Sequence, residues 1–433
     1  MVPDERLHPR TSGARDVGGY GGMEPLVPAR RLHADVGRRI VAGELRPRGR
    51  DVWRRWLFIA LSCVLGAGAL SLGLVLQSGP RSSTLSSASL ASGSGTTSGS
   101  AAPAIPTPGG ATSGAGGFDA VACSSATVCT AVGAGPDGRG LIETTADAGA
   151  SWSADIVPPG VPELDSVACS SGPACVAVGP NTLLFTTDGG STWKMAIPPI
   201  PGTTALGVAC TTESLCVAVG ILPNPTGPYS GKIFVSADAG ATWSSASMPD
   251  GVPGLAAVTC PTSTRCIAVG ATILTTDDSG ATWQQRTVNG GTQVLSSVAC
   301  SSSQLCTALG PNTRGFVDLN APSAAIGSTD GGNSWNQLGF PAGTSGLQRL
   351  SCGAGGRCLA VGATFKGASP LLASSPDGDH WALGTPPGQM SSLAGVTCLG
   401  SSECVAVGTG STPGPAAEVA SGSTWTAGQV GAS

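Results

Sequence analysis

The stretch SVACSSGPACVAVGPNTLLFTTDGGSTW, Ser166 to Trp193, is one copy of a unit that the chain repeats seven times. Each copy has an apolar run ending in Cys, five residues, a second Cys, and then Ala-Val-Gly or a close variant; most copies close on Asp, Gly and Trp. The pairs are Cys123/Cys129, Cys169/Cys175, Cys210/Cys216, Cys260/Cys266, Cys300/Cys306, Cys352/Cys358 and Cys398/Cys404, which use fourteen of the fifteen cysteines. Their first members fall 46, 41, 50, 40, 52 and 46 residues apart. A period in the forties indicates propeller blades or helical arrays.

Composition decides between these. The units are rich in Val, Ala, Thr, Gly and Cys, carry frequent Gly or Pro, and have no stretch of helical periodicity, so four short strands per unit fit. In the quoted copy strand A is DSVACS, B is ACVAVG, C is TLLFTT and D is STWKMA. Strands A and B are apolar on both faces, as blades packed between two neighbours require. The expected fold is an all-β, seven-bladed propeller of four-stranded blades, one blade per cysteine pair, closed without a strand shared between first and last blades.

TTDGGSTW, Thr186 to Trp193, resembles the Asp-box pattern S/T-x-D-x-G-x-T/S-W of sialidase-like and sortilin-like (BNR-repeat) propellers. Further copies end at Trp152, Trp243, Trp283 and Trp335; the copy at Trp381 is one residue short, and that at Trp425 lacks the Asp. The longer frame, from V-x-C-x5-C to the Trp, is most similar to the propeller of photosystem II assembly and stability factors, with cysteines added. The resemblance implies a structural Asp box at Asp147, Asp188, Asp238, Asp278, Asp330 and Asp377, each Asp accepting backbone N–H groups two residues on. The tryptophans Trp152, Trp193, Trp243, Trp283, Trp335 and Trp381 then cover the hairpins and fill the gaps between blades.

Four segments follow from the composition. Residues 1–55 hold twelve arginines against seven acidic residues, with many Gly and Pro, and read as a cytoplasmic, basic, disordered tail. LHADVGRRIVAGELRPRGR from Leu32 resembles the opening helix and turn of gluconate-repressor-type winged-helix proteins but lacks a recognition helix, so no nucleic-acid partner is expected. Leu57 to Leu76 has no charged residue and suits a transmembrane helix (56–77). Arg54 and Arg55 before it place the N-terminus in the cytoplasm and the propeller outside. A Ser/Gly/Pro-rich flexible stalk (78–117) leads to the propeller (118–433), which carries nineteen acidic and nine basic residues. That balance argues against nucleic acid and anionic lipid.

C-x5-C is too wide for usual zinc or redox pairs, and the only histidine beyond residue 117 is His380, so disulfides within each blade are expected, with no metal or cofactor. Such bonds place the cysteine loops and the Asp turns on one regular rim. The other rim carries B–C and D–A loops of unequal length, such as ILPNPTGPYSGK and PNTRGFVDLNAPSAAIG. Candidate ligand contacts there are Arg139, Tyr229, Lys232, Arg314, Phe316, Asp318 and Lys366, because unequal loops on a rigid frame specify partners. The expected function is a membrane-anchored binding or scaffolding module without catalytic residues, for a cell-surface or envelope protein or glycan. A glycoside hydrolase of the sialidase-like group and an assembly factor for a membrane complex stand as alternatives. A sialidase needs an arginine triad, a Tyr nucleophile and an Arg-Ile-Pro motif, of which residues 118–433 contain only scattered arginines and the single Tyr229.

Overall fold

The computed structural model describes residues 116–430 except 212–213, 225–228, 290–293, 311–321, 365–368, 401, 413 and 423. The tail, the transmembrane segment and the stalk lie outside the described residues, apart from Gly116 and Gly117. Among the described residues, 28 strands form seven four-stranded antiparallel sheets, each a meander in chain order A-B-C-D. The A strands are Gly117–Cys123, Ser166–Cys169, Thr204–Cys210, Leu255–Thr259, Ser297–Cys300, Leu347–Cys352 and Met390–Leu399. Each lies against the A strand of the next blade, and that of blade 7 lies against that of blade 1, so the A strands line a central channel. Blade 7 supplies its own four strands and shares none with blade 1.

The repeat motifs explain the blade. Seven disulfides form, each joining the end of strand A to the start of strand B of its own blade: Cys123–Cys129, Cys169–Cys175, Cys210–Cys216, Cys260–Cys266, Cys300–Cys306, Cys352–Cys358 and Cys398–Cys404. Cys123 and Cys129, for example, stand directly opposite one another in the ladder. The two members of a pair differ in setting. The second cysteines, Cys129, Cys175, Cys216, Cys266, Cys306, Cys358 and Cys404, are all buried, at 0–4% exposure. Each has left the loop and begins strand B, the strand that is covered on both faces, so its sulfur packs into a seam between blades. The first cysteines are half-buried.

The Gly of Ala-Val-Gly has a steric reason. A Cβ on Gly133, Gly220, Gly310 or Gly362 would stand 2.0–2.1 Å from a carbonyl oxygen of the neighbouring strand or its lead-in. Backbone there approaches too closely for any side chain. The approach coincides with bulges in the A strands at Phe118/Ala120, Leu255/Ala257 and Leu347/Arg349.

The core is divided among the seams between blades. Among the described residues seven apolar clusters occur, each joining residues of two adjacent blades around the tryptophan of the later one. At the seam that closes the ring, Phe118, Val121 and Trp152 of blade 1 pack on Val405, Val407 and Ala417 of blade 7. The Phe118 and Trp152 ring centroids are 6.2 Å apart. The backbone joins there too, since Trp152 N–H donates to the Gln429 carbonyl at 2.8 Å, as Trp283 N–H donates to Ser247 at the seam of blades 3 and 4. Two arginines of the cysteine loops bridge further seams: Arg265 donates to Gly331 O and Asn333 Oδ1, and Arg357 to Ser402 O and Gly422 O.

The aspartate turns differ from expectation in their hydrogen bonds. The carboxylate reaches four residues on, not two: Asp188 Oδ1 accepts from Thr192 N–H at 2.9 Å and Oδ2 from its hydroxyl at 2.5 Å. The residue that accepts from N–H groups two and four on is Thr186, through Oγ1, which itself donates to Asp188 Oδ1 at 2.7 Å. In the shortened turn of blade 6, Asp377 takes the N–H groups of Asp379 and His380 and pairs with the His380 ring at 2.7 Å. Strand D starts later than expected, at Lys194 in blade 2, because the turn occupies the chain up to Trp193. The turns also bond to the A–B loops, as in Gly189 N–H to Pro173 O at 2.9 Å, so the cysteine loops and aspartate turns share a rim.

These bonds hold the Asp188 carboxyl at about 2, the Thr192 hydroxyl contributing most. Because the folded value lies below the unfolded one of 3.8, its stabilisation is complete above pH 3.8 and is lost as the pH falls toward 2. Trp335 is 0% exposed and fills the seam of blades 4 and 5. We expect Trp335→Ala to lower stability by about 3–5 kcal/mol, and Leu383→Ala, at a side chain 51% exposed, to change it by less than about 0.5 kcal/mol. Urea unfolding of the oxidised protein measures both.

Candidate functional site

Strand A runs from the irregular rim to the cysteine rim, so the residues that open it surround one mouth of the channel. Counting back four positions from the first cysteine of each copy gives Asp119, Asp165, Leu206, Ala256, Ser296, Gln348 and Ala394. The next position gives Ala120, Ser166, Gly207, Ala257, Ser297, Arg349 and Gly395. Small and apolar residues dominate this ring, and the charges in it are two carboxylates on adjacent blades and one guanidinium on blade 6. Asp119 and the Gln348–Arg349 pair sit at strand bulges, which turn side chains away from strict alternation.

The channel encloses about 150 Å³ and is lined by all seven blades, with Asp119, Ser166, Ser296 and Arg349 among its polar lining. Asp165 is 8% exposed, and its Oδ2 has no hydrogen-bond partner. Burial raises the Asp119 carboxyl to about 7, helped by Asp165 and opposed by Arg349. Burial likewise raises Asp165 to about 7, with Glu163 adding and Arg349 opposing. Burial lowers the Arg349 guanidinium, against the pull of both aspartates. Among the described residues, Arg349 makes no ion pair within 4.0 Å. The three groups therefore feel one another without touching.

Of the expected ligand contacts, Arg139, Tyr229 and Lys232 are among the described residues. Arg139 and Tyr229 belong to blades 1 and 3, and no hydrogen bond or ion pair joins them. Arg139 has a side chain 76% exposed and pairs with Asp137 at 3.4 Å. Its backbone bridges to Pro162, as Ser230 beside Tyr229 bridges to Pro253. Lys232 Nζ donates to Ser230 Oγ at 3.2 Å. Arg314, Phe316, Asp318 and Lys366 lie outside the described residues. Arg139 does line a cleft of about 490 Å³ between the B–C and D–A loops of blade 1, with Asp155, Pro158, Pro159 and Val161. Asp155, raised by burial, accepts from Thr144 Oγ1 at 2.9 Å and, across the seam, from Trp193 Nε1 at 3.1 Å. Asp155 is thus committed to holding blades 1 and 2 together. A reading confined to loops does not find the channel residues; aligning the seven copies at the position four before cysteine exposes them.

Chemically, a carboxyl near 7 suits proton transfer. The channel volume, however, is below the ~300 Å³ of ordinary small-molecule clefts.

No protein-family model matches the chain, and no curated protein is similar to it in sequence. Solved structures are similar in fold. An ancestral GH74 enzyme is 12% identical, with a TM-score of 0.53 over 75% of this chain and 48% of its own. Streptogramin B lyase is 9% identical, with a TM-score of 0.51 over 74% and 94%. YCF48 from Cyanidioschyzon merolae is 15% identical, with a TM-score of 0.49 over 74% and 97%. The chain thus spans about half the length of the GH74 enzyme. At these identities the likeness is one of fold.

The raised carboxyls set a pH dependence of stability. With folded values near 7 against 3.8 unfolded, both groups favour folding fully below pH 3.8, and that contribution is lost as the pH rises through 7. Thermal unfolding between pH 5.5 and 8.5 will show the midpoint falling with pH. Asp165→Asn will flatten the decline and raise stability at pH 8.5 by on the order of 2 kcal/mol.

Proposed function

We propose that the chain is a membrane-anchored, extracytoplasmic, non-catalytic binding or scaffolding module that meets a protein or glycan partner on the rim of B–C and D–A loops. The asymmetry of the two rims carries this reading. One rim is tied by seven disulfides and by aspartate turns hydrogen-bonded to the cysteine loops, and it repeats much the same residues in blade after blade. A surface with sevenfold repetition offers little to single out one partner. The other rim is unequal: it bears Arg139 on blade 1, Tyr229 and Lys232 on blade 3, and the charged channel mouth. Apolar 57–76 supports the anchor, and disulfides persist on the exported side of a membrane. We read the aspartate turns as Asp boxes of the sialidase-like group, serving structure.

The carboxyl pair at the channel mouth keeps a hydrolase as the second reading, and an assembly role for a membrane complex is the binding reading with a multisubunit partner. A photo-crosslinker placed at Tyr229 in the full chain, in its own membrane, is expected to give a discrete adduct. The same group at Ser151 on the tied rim should give none, and Arg139→Ala with Lys232→Ala should reduce the adduct at least about fivefold, an effect of about 1 kcal/mol. Equal adducts from both rims overturn the reading. So does turnover of a β-glucan or sialoside that Asp119→Asn or Asp165→Asn abolishes.

A further inference from the structure

The channel mouth holds opposite charges, half-buried at Asp119 and Arg349 and buried at Asp165, that are close enough to shift one another and unpaired. Asp165 has no hydrogen bond from any described residue to its carboxyl Oδ2, although it is 8% exposed. Arg349 lines the channel without a hydrogen bond or ion pair to a described residue. Blade 7, which separates blades 6 and 1, contributes Ala394 and Gly395 at this level, with Ser392 and Leu393 beside them in the cleft that Asp119 and Arg349 share. Buried charges without partners are costly, and opposite charges this near would ordinarily close into a salt bridge. Here they are held apart on separate blades of a rigid ring.

We propose that the channel mouth binds a small zwitterion of the amino-acid class, its ammonium group between Asp119 and Asp165 and its carboxylate on Arg349. A simple cation would satisfy the aspartates but leave Arg349 unpaired and repelling it. A simple anion would do the converse. A molecule carrying both charges satisfies all three groups, and its carboxylate matches the fork of a guanidinium. The channel volume of about 150 Å³ corresponds to about five waters at their liquid volume, which admits a compact amino acid and excludes an extended peptide. Ser166 and Ser296 add hydroxyls to the wall. Asp119 and Arg349 are the charged residues that line the channel among the described residues, and Asp165 and Glu163 lie close enough to Asp119 to act on its charge. This site is separate from the loop contacts proposed above, so one can fail without the other.

Binding in this mode ionises the aspartates, whose carboxyls sit near 7 when empty, so it releases protons. Calorimetry on the full chain, oxidised and held in mild detergent, with glycine, β-alanine and 4-aminobutyrate as probes, tests the idea. At least one should bind more than tenfold tighter than acetate and ethylamine, with proton release detected as a dependence of the heat on buffer ionisation. Its Kd should tighten at least fivefold from pH 5.5 to 7.5. Arg349→Gln and the near-isosteric Asp165→Asn should each weaken it at least tenfold, with circular dichroism reporting that each variant is folded. If no probe outcompetes the singly charged controls, or if binding survives both substitutions in folded protein, the proposal is wrong.

Discussion

A blade that is apolar on both faces has no stable exposed state, and this constraint governs the structure. Val217 and Val219 of blade 3 are buried only because Leu255, Val258 and Trp283 of blade 4 cover them. Each blade therefore needs two neighbours, and an open row of blades would leave its two end faces in water. Closure of blade 7 on blade 1, through the same kind of tryptophan seam as the others, removes both ends at once. No shared strand is needed, because side-chain packing and the Trp152 to Gln429 backbone bond supply at the last seam what they supply elsewhere.

The small residues of this chain make the seams thin, and the disulfides and aspartate turns compensate on one rim. The disulfides act within blades, limiting the unfolded chain at each A–B hairpin. Their second sulfurs also add apolar volume to the seams, as Cys266 does beside Val217 and Val258. The turns act within and beside blades, fixing the tryptophan that enters the seam. Arg265 and Arg357 extend the same rim across seams. With one rim committed to holding the ring, the loops of unequal length lie on the other, where binding sites usually form.

The channel follows from closure as well. Seven A strands bring their first residues around one axis, and most copies place Ala, Gly, Ser or Leu there. Charge at this level is therefore an exception, retained by Asp119, Asp165 and Arg349 at a cost of desolvation that raises the two carboxyls and lowers the guanidinium. Asp155 shows the contrasting case, a half-buried carboxyl engaged by Thr144 and Trp193 in holding a seam.

Blade number, strand order and disulfide pairing were legible in the sequence because each is encoded over a few residues and then repeated: C-x5-C fits an A–B hairpin, and T-x-D-x-G-x-T-W fits one turn. Spacing alone did not reveal which backbone groups the aspartate accepts, since Asp188 and Thr186 divide the acceptor role through a fold of the loop. It also did not separate the half-buried first cysteine of a pair from the buried second one, because the burial of strand B comes from the neighbouring blade. The nearness of Arg349 to Asp119 was decided by tertiary structure alone. These residues are 230 positions apart in the chain (349 minus 119), and only the closing of the ring between blades 7 and 1 makes blade 6 a near neighbour of blade 1.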